Sequence, residues 1–151
     1  MQLIPLNHFQ DKRIMKFLKG RGIDKLNSIQ TQVYTDMFES FSSLFLGAPG
    51  NSGKMTAALL LAGKLLIEDK DQLAKVLYLL PFQELLDRKL SVINQFCDAF
   101  GRKIGILTGN TNSDIQTIEK SSFIVSTAEH WDNITRRWQT KRIKKLIRPI
   151  R

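Results

Sequence analysis

The residues best suited to bind a phosphate chain lie at positions 48–55: Ala48, Pro49, Gly50, Asn51, Ser52, Gly53, Lys54 and Met55. A short apolar run at 44–46 precedes them, and an Ala- and Leu-rich stretch follows at 55–68. A strand, a tight turn with inward-facing amides, a lysine and the start of a helix together cradle phosphate oxygens. A glycine-rich turn with an exposed lysine is the alternative. Because both flanks fit, we predict a phosphate-binding loop.

Two positions of this loop depart from the usual pattern. Asn51 stands where glycine is usual, and asparagine is the next best residue at positive φ, so the turn is expected to survive with some strain. Met55 stands where a hydroxyl usually binds Mg²⁺, an ion that needs hard oxygen ligands. Thr56 comes one residue late, which turns its side chain by ~100° around the helix. We therefore expect weak binding of ATP or ADP, little use of Mg²⁺ and impaired hydrolysis.

The elements that position this loop follow from apolar periodicity and from the breakers between the apolar runs. Helices are predicted at 9–19, 55–68, 82–100 and 114–119. A further helix is predicted from a cap at Asn27 or Ser28 to Phe41. Strands are predicted at 44–46, 75–80, 103–107 and 122–126. Strands that alternate with helices indicate a parallel sheet covered on both faces. The predicted fold class is α/β.

The net charge of +9 is concentrated at one end of the chain. Residues 1–135 hold fifteen Lys/Arg and fourteen Asp/Glu, whereas residues 136–151 hold eight basic residues and no acid. We predict a nearly neutral body at 1–135 and a basic C-terminal arm at 136–151, which favours an anionic partner, nucleic acid first. The alternative is a solvated helix that docks through four apolar residues: Ile143, Leu146, Ile147 and Ile150.

The few cysteines and histidines narrow the class of protein further. The single Cys97 excludes an internal disulfide, and with only His8 and His130 beside it a structural zinc site is not expected. Cys97 is expected in the core, and His130 at the surface, with a phosphate contact as its alternative. No apolar run approaches the ~18 residues of a membrane span, and no secretory signal is visible. We expect an intracellular protein with no membrane or metal partner.

Four further segments resemble motifs of the superfamily 2 DExH-box RNA helicases. They are 26–34 (LNSIQTQVY), 81–85 (PFQEL), 107–109 (LTG) and 126–132 (STAEHWD), the last followed by RRW at 136–138. With the phosphate-binding loop, they match the family in order and spacing over residues ~24–140. The resemblance implies the first RecA-like lobe of such a helicase, a P-loop NTPase fold with a parallel sheet flanked by helices, here incomplete.

The resemblance also implies roles for individual residues. Gln30 matches the glutamine that reads the adenine edge of the nucleotide in this family. The three later segments match the groove that holds the RNA backbone, and the residues implied there are Pro81, Gln83, Thr108, Gly109, Thr127, Arg136 and Arg137. Trp131 and Trp138 could stack on bases, although for Trp131 packing beneath the loop at 126–132 is favoured.

The similarity is greatest to the second, C-terminal cassette of the large tandem-cassette helicase of the spliceosome. In that cassette ATP hydrolysis is commonly lost, and the module regulates and docks proteins. No Asp-Glu-x-His or Asp-Glu-x-Asp box occurs in the sequence, so no catalytic residue is predicted. Residues 147–151 resemble a stretch that normally follows this box, which fits a deletion, a splice junction or the edge of a longer protein's fragment.

The sequence therefore predicts a nuclear, helicase-derived, RNA-associated module with impaired ATP hydrolysis, a scaffold or regulatory part of the spliceosome. Its expected partners are RNA and ribonucleoprotein components. The first alternative is a fragment of an active ATP-dependent RNA helicase, either spliceosomal or a paralogue that rescues stalled ribosomes and assists transcription. A stand-alone P-loop kinase or ATPase ranks last, because it leaves the motif resemblances at 81–85 and 126–132 unexplained.

Overall fold

The computed structural model describes residues 2–38 and 43–150. The chain divides into two compact units, Met1–Glu68 and Asp69–Arg151. The sequence-based division into a body at 1–135 and an arm at 136–151 stays a prediction. None of the helices in the described ranges is long and apolar enough to cross a membrane.

The first unit is helical. A short 3₁₀ helix at Leu6–His8 is followed by three α-helices: α1 (Lys12–Gly20), α2 (Ser28–Phe38) and α3 (Lys54–Glu68). The predicted helix at 9–19 is confirmed as α1, which begins later than expected because the side chain of Asp11 caps it, accepting from the amide of Arg13 at 2.8 Å. The predicted helix at 55–68 is confirmed as α3.

A reciprocal pair of hydrogen bonds starts α2. The amide of Gln30 donates to Oδ1 of Asn27 at 2.8 Å, and the amide of Asn27 donates to Oε1 of Gln30 at 3.0 Å. This is a capping box with asparagine as the cap, so of the two predicted caps Asn27 is correct and Ser28 is the first helical residue. The predicted end of this helix at Phe41 lies outside the described residues.

The predicted strand at 44–46 is wrong. These residues have no regular structure, and the side chain of Phe45 is 93% exposed. A strand forms only where a neighbouring strand pairs with its backbone groups. Among the described residues of the first unit there is no strand, only an isolated bridge between Pro5 and Lys25. The run at 44–46 therefore has the apolar composition of a strand, but no strand among the described residues of the first unit pairs with it.

The second unit alternates strands and helices. Its elements are β1 (Val76–Leu80), α4 (Gln83–Phe100), β2 (Ile104–Ile106), α5 (Thr111–Lys120), β3 (Phe123–Thr127), α6 (Ala128–Thr135) and α7 (Lys141–Ile147). The three strands form a parallel sheet in the order β1-β3-β2, with Val76 and Ile104 both opposite Phe123. The strands predicted at 75–80, 103–107 and 122–126 are confirmed, and so are the helices predicted at 82–100 and 114–119.

Both faces of this sheet are covered, as the α/β prediction requires. On one face Phe96 of α4 packs against Phe123 with ring centroids 5.6 Å apart, and the neighbouring Cys97 is buried, as predicted. On the other face a cluster joins β3 to the helices: Leu107, Ile118, Ile124, Ile134 and Ile143. Trp131 is partly buried against this second cluster, which confirms its predicted packing. The central strand β3 is buried along its whole length, because it has a neighbouring strand on each side and helices on both faces.

Helix α7 docks through the four apolar residues predicted for the basic arm, and the anionic partner expected for the arm stays a prediction. Ile143 is only 3% exposed, and Leu146, Ile147 and Ile150 are partly buried against the same cluster. Beyond the helix, Ile150 forms a parallel bridge with Lys75, whose amide donates to the carbonyl of Pro149 at 3.0 Å. Within the arm, residues 141–147 therefore form a helix whose apolar face packs against this cluster.

Candidate functional site

The loop at 48–54 has the backbone conformation that its sequence predicts. Asn51 has φ of 59°, which confirms the positive φ inferred from its type, and Gly53 has φ of 87°. A Cβ atom at Gly53 would collide with Nε2 of Gln30 and would lie 2.9 Å from Nδ2 of Asn27. Glycine at position 53 is therefore required both by the turn and by the close approach of α2.

Side chains of the first unit hold the carbonyl groups of this loop. Nζ of Lys54 donates to the carbonyl oxygens of Ala48 at 2.5 Å and Pro49 at 2.6 Å. At the other end of the loop, Nδ2 of Asn27 donates to the carbonyl of Ser52 at 2.9 Å. An ammonium group that binds phosphate would exchange these carbonyl oxygens for phosphate oxygens, which are stronger acceptors because they are charged.

Both the oxygen and the nitrogen of the Gln30 side-chain amide form hydrogen bonds within the protein. Its Oε1 accepts from the amide of Asn27, and its Nε2 donates to the carbonyl of Gly53 at 3.3 Å. A nucleobase edge would compete with these partners, and the adenine-reading role of Gln30 stays a prediction. Sequence reasoning missed the contact of Asn27 with the loop, although the Asn-x-x-Gln spacing already indicated a capping box.

Residues of the loop and of the helix start decide which polar side-chain groups a phosphate or Mg²⁺ could meet. Oγ of Ser52 is buried and has no hydrogen-bond partner among the described residues, so the loop contains a polar group whose hydrogen-bonding capacity is unused. Thr56, by contrast, is only 4% exposed within α3, as its late position predicts. The half-buried Met55 offers only a thioether at the position where a hydroxyl is needed. The loop therefore holds an unused hydroxyl, whereas Mg²⁺ finds no side-chain oxygen at position 55.

The second unit brings the three later segments to one edge of its sheet. Because the strands are parallel, their carboxyl ends lie at the same edge. Leu80 is paired with Thr127, so Pro81 follows β1 beside the end of β3, and Thr108 follows the neighbouring β2. This edge gathers Pro81, Gln83, Thr108, Gly109 and Thr127, which the resemblance assigned to an RNA groove.

Asp114 holds the loop after β2 in place. Its carboxylate is 1% exposed and accepts from the amide of Thr108 at 2.9 Å, the hydroxyl of Thr108 at 3.1 Å and the amide of Gly109 at 2.9 Å. The donors that were expected to contact RNA are thus engaged with a carboxylate. Sequence reasoning missed Asp114, since nothing local distinguishes it from an ordinary first-turn acid of a helix.

His130, in the first turn of α6, contacts the loop after β2. Nδ1 of its ring lies 3.1 Å from the carbonyl oxygen of Leu107, and a Cβ atom on Gly109 would lie 3.0 Å from its Cδ2. The amide of His130 donates to Oγ1 of Thr127, which caps α6, at 3.2 Å. His130 is half-buried and structural rather than the ordinary surface residue that was expected.

Of the remaining side chains predicted to contact RNA, some are engaged with acidic groups of the protein and others are not. Arg136 forms an ion pair with Asp132 at 2.6 Å, and Nε2 of Gln83 donates to Asp87 at 2.9 Å. Arg137 is exposed, and no carboxylate in the described part of the chain pairs with it. Trp138 is 57% exposed, so base stacking by this ring remains open. The RNA-binding roles of these residues stay predictions.

Comparison with known proteins places these features in one family. The model of the DEAD/DEAH box helicase family matches residues 27–148. The chain is 30% identical over 147 residues to the U5 small nuclear ribonucleoprotein 200 kDa helicase of Drosophila melanogaster, covering 97% of this chain and 7% of that protein. It is 31% identical over 145 residues to the activating signal cointegrator 1 complex subunit 3-like protein of Dictyostelium discoideum, covering 94% of this chain and 6% of that protein.

A solved structure shares the fold. The DUF1998 helicase MrfA, in a crystal structure with DNA and AMPPNP, superposes with a TM-score of 0.78 at 19% identity over 99% of this chain and 21% of that chain. The predicted RecA-like fold is thereby confirmed. The chain spans less than a tenth of the length of the two curated relatives.

Proposed function

Because the chain belongs to the DEAD/DEAH box helicase family, with relatives among the spliceosomal 200 kDa helicases, we propose that it is an RNA-associated helicase module with impaired ATP hydrolysis. In this proposal it acts in the nucleus as a scaffold or regulatory part of the spliceosome in pre-mRNA splicing. Its partners are RNA and ribonucleoprotein components. The resemblance to the second cassette of the tandem-cassette helicase supports the same role.

The observation that carries the proposal is the composition of the phosphate loop. The loop keeps the turn, the lysine and the helix start, which support nucleotide binding through Gln30, Ala48, Gly50, Asn51, Ser52, Gly53, Lys54 and Met55. It lacks the hydroxyl that holds Mg²⁺, since Met55 replaces it and Thr56 is buried. The sequence also contains no Asp-Glu pair to hold the ion and polarise water. ATP or ADP is therefore bound weakly and not turned over.

Steady-state ATPase measurements on the whole chain, with and without single-stranded RNA, test this proposal. We expect no turnover above that of the Lys54→Ala variant, in either condition. RNA-stimulated turnover that disappears in Lys54→Ala would contradict the proposed inactive module. The same variant therefore serves as the background control for contaminating ATPases.

A second candidate function is a fragment of an active ATP-dependent RNA helicase. The small share of each relative that the chain spans favours it, because a helicase needs a second lobe and an Asp-Glu-x-His box. The similarity to the activating signal cointegrator protein extends this candidate to the paralogue. Sequencing the transcript downstream of the codon for Trp138 distinguishes the two functions: an intact box and a second lobe favour the active helicase.

A further inference from the structure

Helix α7 and the turn that follows it carry two stripes with the same spacing on opposite faces. The apolar stripe has residues at i, i+3, i+4 and i+7: Ile143, Leu146, Ile147 and Ile150. The second stripe repeats this spacing two positions earlier, with Lys141, Lys144, Lys145 and Arg148. Two positions correspond to ~200° around a helix, so the stripes face away from each other. Every cation of the second stripe is exposed, while the apolar stripe packs on the sheet.

Contacts within the second unit fix this helix in place. The guanidinium of Arg142 binds Oε1 of Glu119 in α5 through Nε at 3.1 Å and Nη2 at 3.0 Å. The backbone beyond the helix is joined to Lys75 at the start of β1. The second stripe is therefore presented on an ordered element, and binding a ligand there requires no folding of the arm.

The cations of this stripe are free to bind an external anion. None of the carboxylates in the described part of the chain pairs with Lys141, Lys144, Lys145 or Arg148, whereas Arg136 and Arg142 each have an acidic partner. The stripe extends over eight residues, from Lys141 to Arg148, and its seven helical rises span about 10 Å. It is an uninterrupted row of positive charge.

We propose that the second stripe, hereafter the basic stripe, binds the sugar-phosphate backbone of single-stranded RNA, as a contact surface additional to the loops at the sheet edge. The stripe offers charges without an apolar anchor, which suits a row of phosphates better than an acidic protein segment. The exposed ring of Trp138 lies three residues before the helix in sequence, and single-strand binders combine positive charge with exposed aromatic rings. The choice of RNA rests on the proposed function.

Salt-dependent binding of a fluorescent oligouridylate to the whole chain tests the proposal. The stripe variant replaces Lys141, Lys144, Lys145 and Arg148 with Gln, and a charge-matched control replaces four exposed cations elsewhere in the second unit: Lys70, Arg88, Lys103 and Lys120. Each lost phosphate contact flattens the slope of log K against log[salt] by ~0.7, so the stripe variant should lose up to ~3 and the control less than ~0.7. Thermal unfolding should be nearly unchanged in both, because all eight side chains are exposed.

The other outcomes each overturn a defined part of the proposal. If the slope of log K against log[salt] flattens equally in both variants, net charge and not the stripe accounts for the salt dependence. An unchanged slope in the stripe variant, with RNA still bound, would reject the stripe and leave the proposed RNA association standing on the sheet-edge loops. Displacement of RNA by polyglutamate at equal charge concentration would reject the choice of nucleic acid. Absence of RNA binding by the unmodified chain at low salt would reject both the stripe and the RNA association.

Discussion

The carboxylate of Asp114 accepts hydrogen bonds from both the amide and the hydroxyl of Thr108, six residues earlier in the chain. A third bond, from the amide of Gly109, completes the set. One buried side chain thereby fixes the conformation of the loop after β2, which is part of the candidate RNA surface. The loop is held by a side chain from the first turn of α5, five to six residues further along the chain.

Replacing this anchor should destabilise the second unit. In Asp114→Ala two backbone amides and a hydroxyl lose their acceptor; because Thr108 is exposed, water can replace part of these bonds, so we expect a loss of about 1–2 kcal/mol in the free energy of unfolding. Urea unfolding followed by tryptophan fluorescence reports on this unit, because Trp131 and Trp138 both belong to it. Asp71→Ala removes an exposed carboxylate and should change stability by less than ~0.5 kcal/mol. Equal losses in both variants would deny Asp114 its anchoring role.

The role of Asp114 was not predicted, although its partners are close in sequence, because an acid in the first turn of a helix is common. The φ of Asn51, the cap at Asn27 and the helix and strand positions of the second unit were predictable, because each depends on residues close in sequence. The strand at 44–46 was predicted wrongly, because pairing depends on a neighbour that apolar composition does not reveal. The contact of His130 with Leu107 was missed for the same reason: the two residues are 23 positions apart and meet only once the sheet has formed.

The link between α2 and the phosphate loop can be tested at Asn27. Asn27→Ala removes the cap of α2 and the bond to the carbonyl of Ser52, so we expect a loss of about 1–2 kcal/mol in thermal or urea unfolding followed by circular dichroism. Ser28→Ala, at the neighbouring exposed position that was the alternative cap, should cost less than ~0.5 kcal/mol. A larger effect at Ser28 than at Asn27 would place the cap one residue later than the structure does.

Burial makes the thiol of Cys97 unreactive. Desolvation first, and the nearby charge of Asp98 second, raise the pKa of this thiol from 9.0 to about 12. At pH 8 we therefore expect a disulfide reagent to label the folded chain at least ~100-fold more slowly than the urea-unfolded chain, because the thiolate is the reactive species. Rapid labelling of the folded chain would show that Cys97 is accessible.

The same shift makes stability depend on pH above neutrality. Because the folded-state pKa of Cys97 lies above the unfolded value, its stabilising contribution is complete below pH 9.0 and is lost as the pH rises toward about 12. At pH 10 the loss should be about 1.4 kcal/mol. The Cys97→Ala variant lacks this contribution, so the difference in unfolding free energy between it and the unmodified chain should shrink by that amount from pH 8 to pH 10. A constant difference would contradict the raised pKa.

Nucleotide binding should be insensitive to Mg²⁺, because position 55 offers a thioether where the ion needs an oxygen. Isothermal titration of ATP with and without Mg²⁺ should give dissociation constants within ~3-fold of each other, and a gain in affinity above ~10-fold, or ~1.4 kcal/mol, would contradict this account of Met55.

Lys54→Ala is the control for the site, since it removes the charge that the β- and γ-phosphates need and should weaken binding by at least ~10-fold in both conditions. Met55→Ser restores a hydroxyl at the start of α3 and should recover part of the Mg²⁺ dependence. If Met55→Ser binds as the unmodified chain does while Lys54→Ala loses affinity, the missing Asp-Glu pair, and not Met55, accounts for the absence of Mg²⁺ dependence.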